Sequence, residues 1–284
     1  MNAPLLTTPR VEPFFFDAEP GTRFSLYHAP NPQVAPRGAI LYVHPFAEEL
    51  NRTRRMAAMQ SRAFAELGYA VLQIDLFGCG DSCGEFNAGR WQIWRADLAL
   101  AAAWLAERDT GPLTLWGLRL GGLLALDAAA ALKPRRLLLW QPYLSGRTCI
   151  NQFLRLSEQL RDPAPGAPRS TSALRAQLAV HGVIEVAGYE VAVPLVKAID
   201  ACDAAQIALP PCTIHWFGYG GPAPQRAEAG AARMKERWAE AGVALHYRQF
   251  EGSPGWSADA NTAGHLDCPE MREATTSLFA GDCT

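Results

Sequence analysis

The chain lacks any long apolar run. Its best stretch, Leu98 to Leu105, is alanine-rich and far short of the roughly 18 apolar residues of a membrane-crossing helix, so no membrane span is expected. Residues 1–16 show no apolar core of signal-peptide form, because Arg10 and Glu12 interrupt them early. That predicts a cytoplasmic protein. An excess of either charge is missing as well: 26 Lys and Arg nearly balance 28 Asp and Glu, for a formal net charge of −2. The densest basic group is only Arg52, Arg54 and Arg55, and nucleic acid is not an expected partner. The 7 cysteines, at positions 79, 83, 149, 202, 212, 268 and 283, are odd in number and scattered. They read as free thiols rather than a disulfide framework. Cys79 and Cys83 stand four apart without a second ligand pair, so no metal is expected, and no motif calls for a cofactor.

What is present is the alternation of an α/β domain. Val11 to Phe16 and Arg23 to His28 read as a leading hairpin around Glu19-Pro20-Gly21. Strand-like Ala39 to His44, Ala70 to Asp75, Leu113 to Trp116 and Arg136 to Trp140 alternate with helix-like Arg52 to Leu67, Trp91 to Arg108 and Gly121 to Leu132. This rhythm predicts a mostly parallel sheet of about eight strands with helices on both faces. It stops between residues 142 and 206, where prolines, a Ser/Thr patch and a short strand pair around Gly182 and Gly188 appear. That segment is expected to be an inserted cap over the sheet, with residues 1–141 and 207–284 forming the core. Cys212 to Phe217, Gln225 to Ala241, Ala244 to Phe250 and Pro269 to Ala280 continue the core pattern.

The stretch Leu115-Trp116-Gly117-Leu118-Arg119-Leu120-Gly121-Gly122 has the frame of a nucleophile elbow, Gly-x-Ser-x-Gly, between an apolar strand and a helix of small residues. The nucleophile position holds Arg119. A guanidinium stays protonated, carries donors only and cannot attack a carbonyl. Two further landmarks occur in order: His44-Pro45-Phe46 after one strand, and Asp75-Leu76-Phe77-Gly78-Cys79-Gly80-Asp81-Ser82 after the next.

With these three landmarks the chain resembles the α/β-hydrolase superfamily. Over residues 10–280 it is similar, more closely, to the exosortase A system-associated hydrolases of the ortholog 2 type. His44 to Arg55, the Asp75 turn and Trp116 to Gly121 carry that likeness. It implies an α/β-hydrolase fold, hydrolase activity by homology, and a setting among exopolysaccharide and protein-sorting functions. It also implies that the loop after His44 helps form an oxyanion hole.

The slots of a catalytic triad fill poorly. The acid positions read Gln141-Pro142-Tyr143 and Gly218-Tyr219-Gly220, without a carboxylate. His265, in Gly264-His265-Leu266-Asp267, is the candidate base, or else a solvated loop histidine. Ser82 is a candidate displaced nucleophile or a turn hydrogen-bonder. Cys83, Ser145 and Ser257 are weaker nucleophiles. His44 either faces the pocket or holds its loop by a backbone bond. Leu118, Leu120, Phe46 and, on a Gly/Ser loop, Trp256 are expected around the pocket, while Trp116, Trp140 and Trp216 read as core. Glu48 and Glu49 lie where a carboxylate would oppose an oxyanion. A buried Arg119 needs a partner, and one of these two glutamates is expected to pair with it. Three functions stay open. One is an atypical or inactive hydrolase whose pocket binds a polar, anionic or acyl small molecule. Another is an esterase or thioesterase using Ser82, or water with His265. The third is an interaction protein that meets a partner through the cap.

Overall fold

Apolar strands covered on both faces and half-covered strands at the rims define the sheet of this protein, seen in a computed structural model. Residues 10–108, 110–159, 170–220, 224–252, 254 and 267–281 are described. The chain runs β1 (Val11–Asp17), β2 (Thr22–His28), β3 (Gly38–Val43), α1 (Glu48–Glu66), β4 (Tyr69–Ile74), α2 (Trp91–Ala106), β5 (Leu113–Leu118) and α3 (Leu120–Leu132). Next come β6 (Arg136–Trp140), α4 (Gly146–Arg155), α5 (Thr171–His181), β7 (Val183–Val186), β8 (Tyr189–Ala192) and α6 (Val193–Ala201). The remainder is β9 (Thr213–Tyr219), α7 (Pro224–Ala239), β10 (Ala244–Phe250) and α8 (Pro269–Ala280).

Among the described residues, eight strands form one sheet in the order β1-β2-β4-β3-β5-β6-β9-β10. The β1–β2 and β2–β4 pairings are antiparallel and the others parallel. Central β3 is buried at every residue, whereas the rim strands β1 and β10 alternate between buried and open positions. One face packs Leu98, Leu123 and Trp238 of α2, α3 and α7. The other packs Phe64 of α1 and Phe279 of α8 against Trp116 and Trp140. Each of those two fully buried phenylalanines contributes about 1.5–3 kcal/mol.

The α/β-hydrolase architecture expected from the sequence is the architecture observed. One boundary differs: α1 starts at Glu48, four residues before the expected Arg52, and so takes both glutamates into its first turn. The chain between β6 and β9 carries α4, α5, the antiparallel β7–β8 hairpin and α6. Its side chains reach the turn ahead of α3 and the first turn of α1, Gln152 to Arg119 and Tyr189 to Asn51. Ligands of open α/β sheets bind at the C-terminal ends of the parallel strands.

A buried ion pair that the sequence reading did not anticipate ties β2 to α2. Arg23 Nε lies 2.8 Å from Asp97 Oδ1, with 0% and 2% of the side chains exposed. Asp97 Oδ2 accepts the Phe77 N–H at 2.8 Å, which anchors the turn after β4 to the same pair.

Candidate functional site

β5 delivers the chain to Arg119 in a left-handed conformation, φ 56° and ψ −117°, and α3 begins at the next residue. Such a conformation costs a residue with a side chain about 1–3 kcal/mol. The turn is fixed by its neighbours: Arg119 N–H donates to Trp140 O at 3.0 Å, and Arg119 O accepts from Gly122 N–H at 3.0 Å. A methyl group on Gly117 would lie 2.5 Å from the Gly122 Cα, and one on Gly121 would run into the Val43 carbonyl. The flanking glycines are therefore needed for the close approach of α3 to the strand ends. Ala47, the residue before α1, has nearly the same backbone shape, φ 51° and ψ −127°. Two neighbouring loops thus enter their helices through matching elbows. No sequence signal marked the second, since alanine there carries no chemistry.

The elbow aims the Arg119 side chain at three partners. Its Nε lies 3.0 Å from Glu49 Oε1, and the expected ion pair with one of the two glutamates forms with Glu49. Its Nη2 donates to Gln152 Oε1 at 3.0 Å and to the Tyr143 hydroxyl. The guanidinium carbon also stands 4.1 Å from the Tyr143 ring centroid. Tyr143 OH in turn donates to Gln152 Oε1 at 2.6 Å. Only 15% and 14% of the Arg119 and Glu49 side chains stay open. Burial acts to lower the Arg119 pKa, but the Glu49 and Tyr143 oxygens outweigh it and hold the pKa above its ordinary value. The Tyr143 hydroxyl is pushed well up by burial, with Arg119 opposing. Arg119 and Tyr143 therefore both keep their protons in the neutral range. Tyr143 stood in the inspected acid slot, but Gln152, on α4, had no local signal.

Glu48 points elsewhere. Burial pushes its carboxyl up to about 7, and the charge of Glu49 adds to that. His44 acts as a clamp: Nδ1 lies 2.7 Å from Pro45 O, and Nε2 accepts the Leu76 N–H at 3.3 Å. Burial lowers its pKa, in keeping with a neutral ring holding two loops. Phe46 packs at 5.1 Å on Phe153 of α4. Leu120 joins His44, Phe46 and Trp94 around a narrow apolar cavity. Leu118 is instead fully buried on the opposite sheet face, with Trp116 and Trp140.

The first acid position is occupied by an amide. Gln141, at φ 46°, accepts the Tyr219 N–H on Oε1 at 2.5 Å and so links the ends of β6 and β9. Ser82 Oγ donates to Asp75 O at 2.5 Å within its own turn and accepts the Phe24 N–H of β2 at 2.9 Å. Its hydroxyl is spent on backbone groups. Arg54 Nη2 lies 2.9 Å from Asp75 Oδ2, a pair under the turn after β4 that had no signal in the sequence. His265, Trp256 and Ser257 lie outside the described residues.

Comparison with known proteins agrees with this geometry. The family model described as serine aminopeptidase, S33 matches residues 34–190, more than half of the chain. No curated protein matches the chain. Among solved structures, an α/β serine hydrolase without a lid from Xanthomonas campestris is similar at 19% identity and TM-score 0.57, over 98% of this chain and 96% of that one. A thermostable carboxyl esterase from Bacillus coagulans is similar at 16% identity and TM-score 0.65, over 95% and 98%. Est1E from Butyrivibrio proteoclasticus, solved with ferulic acid, is similar at 14% identity and TM-score 0.64, over 93% and 97%. An eight-stranded sheet, a strained elbow ahead of α3 and a family match across both loops that build the site lead to one conclusion: the chain belongs to the serine aminopeptidase S33 family of the α/β-hydrolase fold.

Proposed function

We propose that this protein is a non-hydrolytic member of its family that binds a polar small molecule, within the exosortase-associated group its loop motifs resemble. One observation carries the reading: the elbow holds Arg119, and its guanidinium is committed to Glu49, Tyr143 and Gln152. Acyl transfer at an elbow needs a nucleophile that can shed a proton and donors facing the developing oxyanion. Arg119 cannot attack, and Glu49 adds negative charge beside the place where the oxyanion would form. Ser82 offers no replacement, because its hydroxyl is bonded twice to backbone. Glu49 also answers the Arg119 charge, so an anionic ligand would meet no free cation at the elbow. Room for a ligand lies past Ala47, in a cleft between α1 and the β7–β8 hairpin.

The test is a panel of short and long acyl esters and thioesters, together with labelling by a fluorophosphonate probe and a thermal-shift screen of polar metabolites. The expected result is no turnover, no labelling and a ligand-dependent rise in melting temperature. Turnover above that of heat-inactivated protein, abolished by Ser82→Ala, would overturn the reading.

A further inference from the structure

The cleft next to Ala47 has a volume of about 460 Å³ and opens between the first turns of α1, the turn after β4 and the β7–β8 hairpin. Its charges do not balance. Arg54 is the cation on its wall, and Arg54 Nη2 is already held by Asp75 at 2.9 Å. The Asp81 carboxylate, also on the wall, has no cationic partner among the described residues. The aromatic part of the wall is fixed in place. Phe86 and Tyr189 meet edge to face at 5.2 Å, and Asn51 Nδ2 donates to Tyr189 OH at 3.2 Å, which pins that ring across the cleft.

We propose that this cleft binds a small organic ammonium ion with an apolar body, seated against Phe86 and Tyr189 with Asp81 as its counter-charge. Aromatic faces attract cations through the ring quadrupole, and a carboxylate in a recess strengthens that attraction. An anion would face Asp81 and find Arg54 already neutralised. The proposal rests on the reading of the protein as a small-molecule binder and adds the chemical class of the ligand.

Benzylamine, benzyl alcohol and benzoate share one scaffold and carry positive, zero and negative charge. Calorimetric titration of the full chain with each, at low salt, is the test. Benzylamine should bind tightest, and added salt should weaken it. Tyr189→Leu should weaken benzylamine binding about 3- to 30-fold, the range for loss of a cation–π contact. Asp81→Asn, at an exposed position, should weaken it several-fold without loss of fold, and keeps the test decisive if Tyr189→Leu does not fold. Absence of benzylamine binding, equal binding of the three compounds, or Asp81→Asn binding like the unaltered chain overturns the proposal. A neutral or anionic hit in the polar-metabolite screen with benzylamine inert would sink the ammonium ligand alone. A screen without any hit would sink the small-molecule reading too.

Discussion

Replacing Arg119 by methionine keeps most of its length and removes its charge. At 3.0 Å two unit charges attract by about 5 kcal/mol at an effective dielectric of ~20, before desolvation is counted. Deleting one partner of a buried pair costs about 3–5 kcal/mol, because the other charge is stranded. With 15% and 14% of the two side chains open to solvent, Arg119→Met belongs at the lower end, about 3 kcal/mol. Glu49→Gln should cost less, about 2 kcal/mol, since Tyr143 and Gln152 remain around the guanidinium. The double variant should then lose about 3 rather than 5 kcal/mol, a coupling of about 2 kcal/mol. Urea unfolding followed by tryptophan fluorescence at neutral pH measures all four states. The same cycle with Glu48→Gln should give coupling below about 0.5 kcal/mol, because Glu48 makes no ion pair with Arg119. Additive losses for Arg119 and Glu49, or equal coupling for both glutamates, would refute the pairing.

Arg119→Ser should not create a robust esterase, because Gln141 fills an acid position and an unpaired Glu49 then faces the oxyanion; a large gain in ester turnover would count against this. Asp97→Leu should destabilise the chain by about 3–5 kcal/mol in urea unfolding, since Arg23 at 0% exposure is left without its counter-ion. Glu48 supplies a pH dependence. Its carboxyl is raised from 4.5 to about 7 in the fold, so the folded state binds the extra proton and stability falls as pH rises through that window. The groups acting on it are Glu49 and Arg52 of α1 and Arg119 of the elbow, and Tyr189 of the hairpin feels its charge. After allowance for solvent screening of a part-exposed group, the loss is on the order of 1–2 kcal/mol. Glu48→Gln should flatten the urea midpoint between those pH values; an unchanged slope would remove Glu48 as its source.

The core was legible because its signals are local. Continuous apolar strands, amphipathic helices and the glycines around Arg119 each state their own conformation within a few residues. The need of a buried guanidinium for a carboxylate was legible too, but the choice of Glu49 over Glu48 was not. It depends on where α1 starts, and that is set by the backbone of Ala47, a residue without a turn signature. Gln152 and Tyr189 were hidden for another reason. They come from the stretch between β6 and β9, and their approach to Arg119 and Asn51 depends on how distant segments fold back. Arg23 and Asp97 are 74 residues apart, and nothing local marks a pair that meets beneath a turn.

The twin elbows at Ala47 and Arg119 change what backbone shape can be made to mean. A strained turn between strand and helix is commonly taken as the mark of a nucleophile, yet here one such turn carries a methyl group and the other a guanidinium. Neither side chain can itself attack a carbonyl. Each bend lets a helix start directly against the sheet, so the scaffold itself has a use for both. The bend thus serves the packing of the helix whatever side chain sits on it, and it is architecture first. A search for enzymes by backbone angles alone would find two active sites in this chain, and the side chains at both would contradict it.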